Sequence, residues 1–288
     1  MRPAEVVSPA LLRAWPLPEP DEGGSKHDRG TVLVVGGAAS TPGAVLLAGL
    51  GALRAGAGRL SVATVRSAQV ALAIALPEAL VDGLPEDEDG SLDPACAPQL
   101  TQSCGSAATV LLGPGLLGKQ RVRALLEGVL PGVEEGTVVL DAVALTALGG
   151  APELLAGLQG RVVLTPNGGE LAALLDGDER EGDDAAAAVA DRYGAVVVTQ
   201  GAVAAPDGRL WRDGTGGIGL GTSGSGDVLA GVVAGLLAGG AEPAQAAVWG
   251  RHLHASAGDR LAARIGRTGY LARELLDEVP LVLGGLRT

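Results

Sequence analysis

Asp227 stands behind Gly221, Gly224 and Gly226 and directly before the apolar run Val228-Leu229-Ala230-Gly231-Val232-Val233-Ala234-Gly235-Leu236-Leu237. The run reads as a helix, and Asp227 as a residue at its start. Glycines let a backbone take positive φ and approach a ligand closely. A helix N-terminus adds unpaired N–H groups and a partial positive charge, which favour an anion. An Asp at such a place has a simpler reading as a cap, accepting from N–H groups of the first turn. Capping, however, does not call for this density of glycine. A carboxylate beside a phosphate cradle is what phosphoryl transfer uses to take a proton from an attacking hydroxyl. The segment therefore points to phosphoryl chemistry, with Asp227 as base and Gly224, Ser225 and Gly226 as the cradle.

Other segments offer weaker signals. Gly113-Pro114-Gly115-Leu116-Leu117-Gly118 fits the dinucleotide fingerprint, but the acidic residue expected about 20 positions on is missing. Asp141 lies 28 residues past Gly113. A glycine-lined ligand wall is the better reading. The run from Gly36 to Ala44 superficially resembles a P-loop but lacks the Gly-Lys-Ser/Thr ending. Its Pro42 and Gly43 would still begin a helix with bare N–H groups. Asp141, Asn167 and Glu170 each follow a short apolar run, and each has a local reading as helix cap or first-turn charge. If those runs are parallel strands, all three converge with Asp227 on one rim, since ligands of open α/β sheets lie off the carboxyl ends of strands.

The elements that must position these residues alternate. Apolar runs predict strands over 31–36, 59–64, 108–112, 137–140, 161–164 and 195–199, continuous enough to be buried on both faces of a parallel sheet. Helical patterns lie between them over 42–56, 67–76, 120–129, 168–175 and 183–193. Residues 204–212, with the Asp207-Gly208 turn, read as a β-hairpin. The chain from Gly226 onward is mostly helix. Segments 86–90 and 176–184 read as solvated loops, and the first 25 residues as an arm with a short helix from Ser8. This is a three-layer α/β plan.

Composition narrows the partners. The chain has 288 residues, 47% of them hydrophobic, with 47 glycines, no Phe and a formal charge of −12. The core must be Ala, Val and Leu. The acidic balance argues against nucleic acid and anionic membrane. No apolar run is long enough to span a bilayer, and no signal-peptide pattern opens the chain, so a cytoplasmic protein is expected. Cys96 and Cys104 make neither a disulfide framework nor a metal site. His252 and His254, two apart, diverge on a helix, and no protein-held metal is expected.

Taken in order, these segments resemble the ribokinase-like superfamily. Within it they are most similar to the ADP- or ATP-dependent NAD(P)H-hydrate dehydratase family, over residues 26–280. The resemblance runs through Lys26-His27-Asp28-Arg29-Gly30, the strand ending in Gly36-Gly37, Pro42-Gly43-Ala44, Ala55-Gly56-Ala57-Gly58, Gly113-Pro114-Gly115, Leu140-Asp141-Ala142, Thr165-Pro166 with Gly169-Glu170, Gly224-Ser225-Gly226-Asp227, His254 to Gly258, and Tyr270-Leu271 to Pro280. It implies a three-layer α/β/α ribokinase-like fold with a central, mostly parallel sheet, as one domain over 26–288 after the arm. It implies ADP or ATP as phosphoryl donor with Mg2+, and hydrated NADH or NADPH as substrate. Carried over by position, Ala44, Gly115, Asn167 and Asp227 contact substrate. Gln200, Gly201, Ala202, Val203 and Ala204, with Gly224, Ser225 and Gly226, contact the nucleotide. A homo-oligomer, a tetramer, is expected, without the extra N-terminal epimerase domain of some relatives. Three positions depart from the family pattern: Asn167 replaces His, Gln200 replaces Lys and Ala204 replaces a hydroxyl. A small-molecule kinase using the same Asp227, or a weakly active nucleotide-binding homologue, fits these residues as alternatives.

Overall fold

The computed structural model describes residues 3–19 and 23–287. Among them, ten strands form one sheet in the order β1 (Glu5–Val6), β10 (Leu210–Arg212), β9 (Ala202–Ala204), β8 (Val196–Val198), β7 (Val162–Leu164), β6 (Thr137–Leu140), β5 (Thr109–Leu112), β2 (Thr31–Val35), β3 (Arg59–Val65) and β4 (Ala79–Leu84). From β8 through β4 every pairing is parallel; β9 runs antiparallel to both β8 and β10. The central strands read TVLVV, TVLL, TVVL and VVL and are buried on both faces. β-Branched residues suit that double burial.

The helices are α1 (Pro9–Ala14), α2 (Pro42–Arg54), α3 (Arg66–Ala75), α4 (Ala97–Ser106), α5 (Lys119–Val129), α6 (Val143–Leu148), α7 (Gly168–Leu175), α8 (Gly182–Tyr193), α9 (Ser225–Ala238), α10 (Pro243–Arg264) and α11 (Ala272–Arg287). α2, α9, α10 and α11 pack against one another in one layer, and α4 through α8 pack in succession in another. This is the expected three-layer architecture. The hairpin is present as β9 and β10, with Gly208 at φ +82 in its turn. Sequence patterning misses β4, whose Asp82 and Gly83 interrupt the apolar run. It is an edge strand that buries Val81 and Leu84 and exposes Leu80. The expected loop at 176–184 also closes earlier than predicted, because α8 starts at Gly182.

Strand order puts β2 between β3 and β5. The chain therefore leaves β2 toward one side of the sheet and later returns to build the other. At such a reversal the connecting loops diverge and leave a crevice beyond the strand ends. Residues 1–2 and 20–22 of the arm, and Thr288, lie outside the described residues. The described part of the arm is tied to the far edge of the sheet. β1 pairs with β10, Ser8 caps α1, Trp15 stacks on Trp211 at 5.7 Å, and the Trp249 indole donates to the Trp15 carbonyl at 2.9 Å.

Small residues let α9 lie directly on α2. A Cβ built on Gly231 would overlap the carbonyl of Ala48, and one on Gly235 would overlap that of Ala52. Gly231→Ala should therefore push the helices apart at a cost of roughly 1–3 kcal/mol. The check is the urea midpoint, which should fall with the slope unchanged. An unchanged midpoint would contradict the backbone contact.

Candidate active site

Three carboxylates meet at the carboxyl ends of the central strands. Asp141 follows β6 and is 4% exposed. The Thr165 hydroxyl, after β7, donates to its Oδ1 at 2.7 Å. Asp141 is not a helix cap: the N-cap of α6 is Ala142, which makes no side-chain cap bond and holds φ 53, ψ −131. That is an unusual backbone state for a residue with a Cβ, and such strain costs of order 1–3 kcal/mol. Glu170 and Asn167 form a capping box at α7. Asn167 Oδ1 accepts from the Glu170 N–H at 3.0 Å, and Glu170 Oε2 accepts from the Asn167 N–H at 2.9 Å. The local reading of Glu170 is thus correct, and Asn167 keeps only its amide NH2 for a ligand.

Asp227 lies in the first turn of α9 but does not cap it. The N-cap is Gly224, at φ 88 in the left-handed region, with no side-chain cap bond. The Asp227 carboxyl is pushed up to about 6, by burial and then by the negative charge of Glu170. Asp141 is pushed up to about 7, chiefly by burial; the Thr165 bond opposes this, and the charges of Asp227 and Glu170 add to it. Burial also raises Glu170, against its bonds to Asn167. Each group feels another, so the expected convergence on one rim is real.

Beside this cluster, Ala44 and Gly115 are neighbours. Gly115 sits at φ +67, the Thr41 hydroxyl donates to its carbonyl at 2.7 Å, and a Cβ on it would press on Ala44. The Gly37 N–H donates to the Pro114 carbonyl at 2.8 Å, locking the turns after β2 and β5 together. One helical turn past Ala44, Leu47 lies against Gly224. Through Leu47, the Ala44–Gly115 turn therefore adjoins the loop that carries Asp227.

The residues carried over as nucleotide contacts divide. Gln200 and Gly201 form an exposed turn at the carboxyl end of β8. Ala202, Val203 and Ala204 are β9 itself, 1–2% exposed and paired on both sides. Their side chains are buried, so only the main chain at the ends of this strand is left to meet a ligand. Ser225 also turns inward, its hydroxyl 3.0 Å from His254 Nε2 and its N–H on the Thr222 carbonyl. Gly226 is not at positive φ, and a Cβ on it would meet nothing within 4 Å. Gly224 carries the strained angle, and open space lies over Gly226. In the same turn, the N–H groups of Gly226 and Asp227 have no intrahelical acceptor.

Patterning missed the groups beneath these loops. Arg251 of α10, buried, donates to the Gln200 carbonyl and, at 3.1 Å, to the Thr215 carbonyl, and lies 3.7 Å from Asp213. His252 diverges toward the same Asp213, at 3.3 Å. Burial and the nearby Arg251 push His254 down to about 4, so it is neutral against Ser225. The usable signal was Arg251 and His254 three apart, which share a helix face.

The family model for NAD(P)H-hydrate dehydratase matches residues 32–281. The chain belongs to that family. It is 46% identical to the ADP-dependent (S)-NAD(P)H-hydrate dehydratase of Xanthomonas campestris pv. campestris, over 98% of this chain and 96% of that one. It is 38% identical to the bifunctional NAD(P)H-hydrate repair enzyme Nnr of Moorella thermoacetica, over 96% of this chain and 54% of that one. In structure it resembles the ADP/ATP-dependent NAD(P)H-hydrate dehydratase of Bacillus subtilis co-crystallized with ATP/Mg2+, with a TM-score of 0.79 and 27% identity over 99% of this chain and 100% of that one. The ribokinase-like fold is shared with a protein of Enterococcus faecalis at a TM-score of 0.83 and 22% identity, covering 100% of this chain and 98% of that one. In this NAD(P)H-hydrate dehydratase family member, the crevice at the strand reversal is therefore the place to seek the chemistry.

The raised carboxyls carry a stability consequence. The Asp227 carboxyl stabilises the fold only while protonated: its contribution is full below about pH 3.8 and is lost as pH rises through about 6. Asp227→Asn should unfold later than the wild type at pH 8, by about 1–2 kcal/mol, and the gain should shrink toward pH 4. A gain independent of pH would remove ionisation as its cause.

Proposed function

We infer that this protein restores hydrated NADH and NADPH to the reduced cofactors, consuming ADP or ATP. One observation carries the reading beyond kinship. Asp227, a carboxylate raised to about 6, stands in the first turn of a helix next to Gly226, over which the space is open. In the proposed chemistry the ring hydroxyl lies beside Asp227, which takes its proton as the oxygen attacks the terminal phosphoryl group. The first-turn N–H groups of Gly226 and Asp227 hold the charge that builds on the phosphoryl oxygens. The C–O bond of the new phosphate ester then breaks, phosphate leaves, pushed by the ring nitrogen, and the double bond returns as a proton is lost from the adjacent ring carbon. Ala44, Gly115 and Asn167 line the substrate side; Gln200 and Gly201 line the nucleotide side.

No group of three or more His, Cys, Asp or Glu that could hold a metal exists among the described residues. Magnesium is therefore proposed to enter on the phosphates of the nucleotide, where it supplies charge neutralisation, rather than in a protein cage. A cytoplasmic homo-oligomer is proposed with the same reading. Exposed Val70 and Ile74 on α3 and Leu80 on β4 mark the free sheet edge as a surface a second copy would cover.

The direct test incubates the protein with hydrated NADH and either ADP or ATP and follows the returning dihydronicotinamide absorbance. A stable phosphate ester with no returning absorbance would instead mean a kinase. Asp227→Asn should lower turnover about 10²–10⁴-fold with nucleotide binding little changed. Wild-type activity should rise with pH through about 6, as Asp227 loses its proton.

Gln200 stands where the family carries Lys. Gln200→Lys should tighten nucleotide binding by roughly 0.5–2 kcal/mol, an effect that shrinks with added salt. Calorimetry at two salt concentrations reads both. No change in either would place the phosphates away from this turn.

A further inference from the structure

We propose that Asp141 accepts the second proton of the reaction, the one on ring carbon C5. This rests on the dehydratase reading above. Restoring the ring requires two protons to leave. The first leaves the hydroxyl as its oxygen forms the bond to phosphorus, and goes to Asp227. The C6–O bond then breaks with its electron pair on the departing phosphate, and the nitrogen lone pair closes N1=C6 to an iminium. The second proton leaves C5. Its bonding pair forms C5=C6, and the N1=C6 pair returns to nitrogen. No oxidant or reductant is involved, but a second acceptor is, because Asp227 already holds a proton.

The cluster offers two further carboxylates. Glu170 is engaged in its own capping box, its Oε2 bound by the Asn167 N–H. Asp141 is held on one oxygen by Thr165, at the end of β6. The helix that carries Asp227 packs on β5 and β6, and its N-cap Gly224 lies against Leu47 of α2, the helix that begins beyond the carboxyl end of β2. The two carboxylates are close enough for the Asp227 charge to act on Asp141. Ala142, at φ 53, ψ −131, is the N-cap that separates Asp141 from α6, so Asp141 stands between the end of β6 and the helix rather than within it. A carboxyl near 7 can both take and release a proton at neutral pH, as a general base must. A purely structural Asp–Thr pair needs none of these neighbours.

The two proton losses can be read separately, as nucleotide cleaved and as NADH formed. The wild type should give one NADH for each nucleotide. In Asp141→Asn the iminium should survive long enough to take water back at C6, so nucleotide is cleaved without return of NADH. NADH formation should fall about 10²-fold or more, while nucleotide cleavage falls far less. Substrate carrying two deuterons at C5 should slow NADH formation further in that variant and leave nucleotide cleavage untouched. Thr165→Val, which frees the Asp141 carboxylate without removing it, should uncouple the two products in the same direction to a smaller extent, and Thr165→Ser should restore the coupling. Thr165→Val also decides the matter if Asp141→Asn does not fold. Equal loss of both products in the folded variants would overturn the assignment. So would uncoupling by Glu170→Gln but not by Asp141→Asn. A wild type that forms no NADH with either nucleotide would instead overturn the dehydratase reading itself.

Discussion

The contact on which the rest depends is backbone against backbone: Gly231 and Gly235 of α9 on the carbonyls of Ala48 and Ala52 of α2. No side chain separates the helices there, so their spacing is set by hard contact rather than by adjustable packing. Because α2 begins just after β2 and α9 crosses β5 and β6, that contact holds the α9 N-terminus over the strand reversal. The position of Asp227 follows from it. A core without Phe suits this plan, since Ala, Val and Leu let layers approach where aromatic rings would hold them apart.

The second constraint is electrostatic and works against stability. Three carboxylates share a rim from which water is partly excluded, and each is raised by burial. The fold tolerates this because some of their oxygens are hydrogen-bonded, by Thr165 on Asp141 and by the Asn167 N–H on Glu170. Asp227 differs. Burial and Glu170 alone move it, without a compensating bond. A group left that way in a folded protein is poised for a proton from outside the chain.

Much of the fold was legible because parallel strands buried on both faces are written as unbroken apolar runs. All six such runs are strands of the sheet, and the five helices expected between them are present. β4 was not legible, since an edge strand needs only every second residue apolar and carries Asp82 and Gly83 at no cost to the core. At the site, Asp227 and its glycines were visible as local chemistry. The division of the span 200–204 into an exposed turn and a buried strand was not, because position alone does not tell the two apart. Gly226 misled for the reverse reason: its neighbour Gly224, not Gly226, takes the left-handed backbone. Arg251 and His254 make tertiary contacts with Gln200, Thr215 and Ser225, far away in sequence; their spacing marks a shared helix face but does not name those partners.

The docking of the arm also decides what light reports about this molecule. Its three tryptophans are Trp15, Trp211 and Trp249. Two of them stack, and the third bonds the backbone of the first, so all three sit at the β1–β10 edge. Intrinsic fluorescence is thus a local gauge of that corner, blind to the crevice at the strand reversal. An emission-monitored melt records release of the arm, and only a probe of the whole backbone, such as far-ultraviolet dichroism, records loss of the sheet and helix that position Asp141 and Asp227.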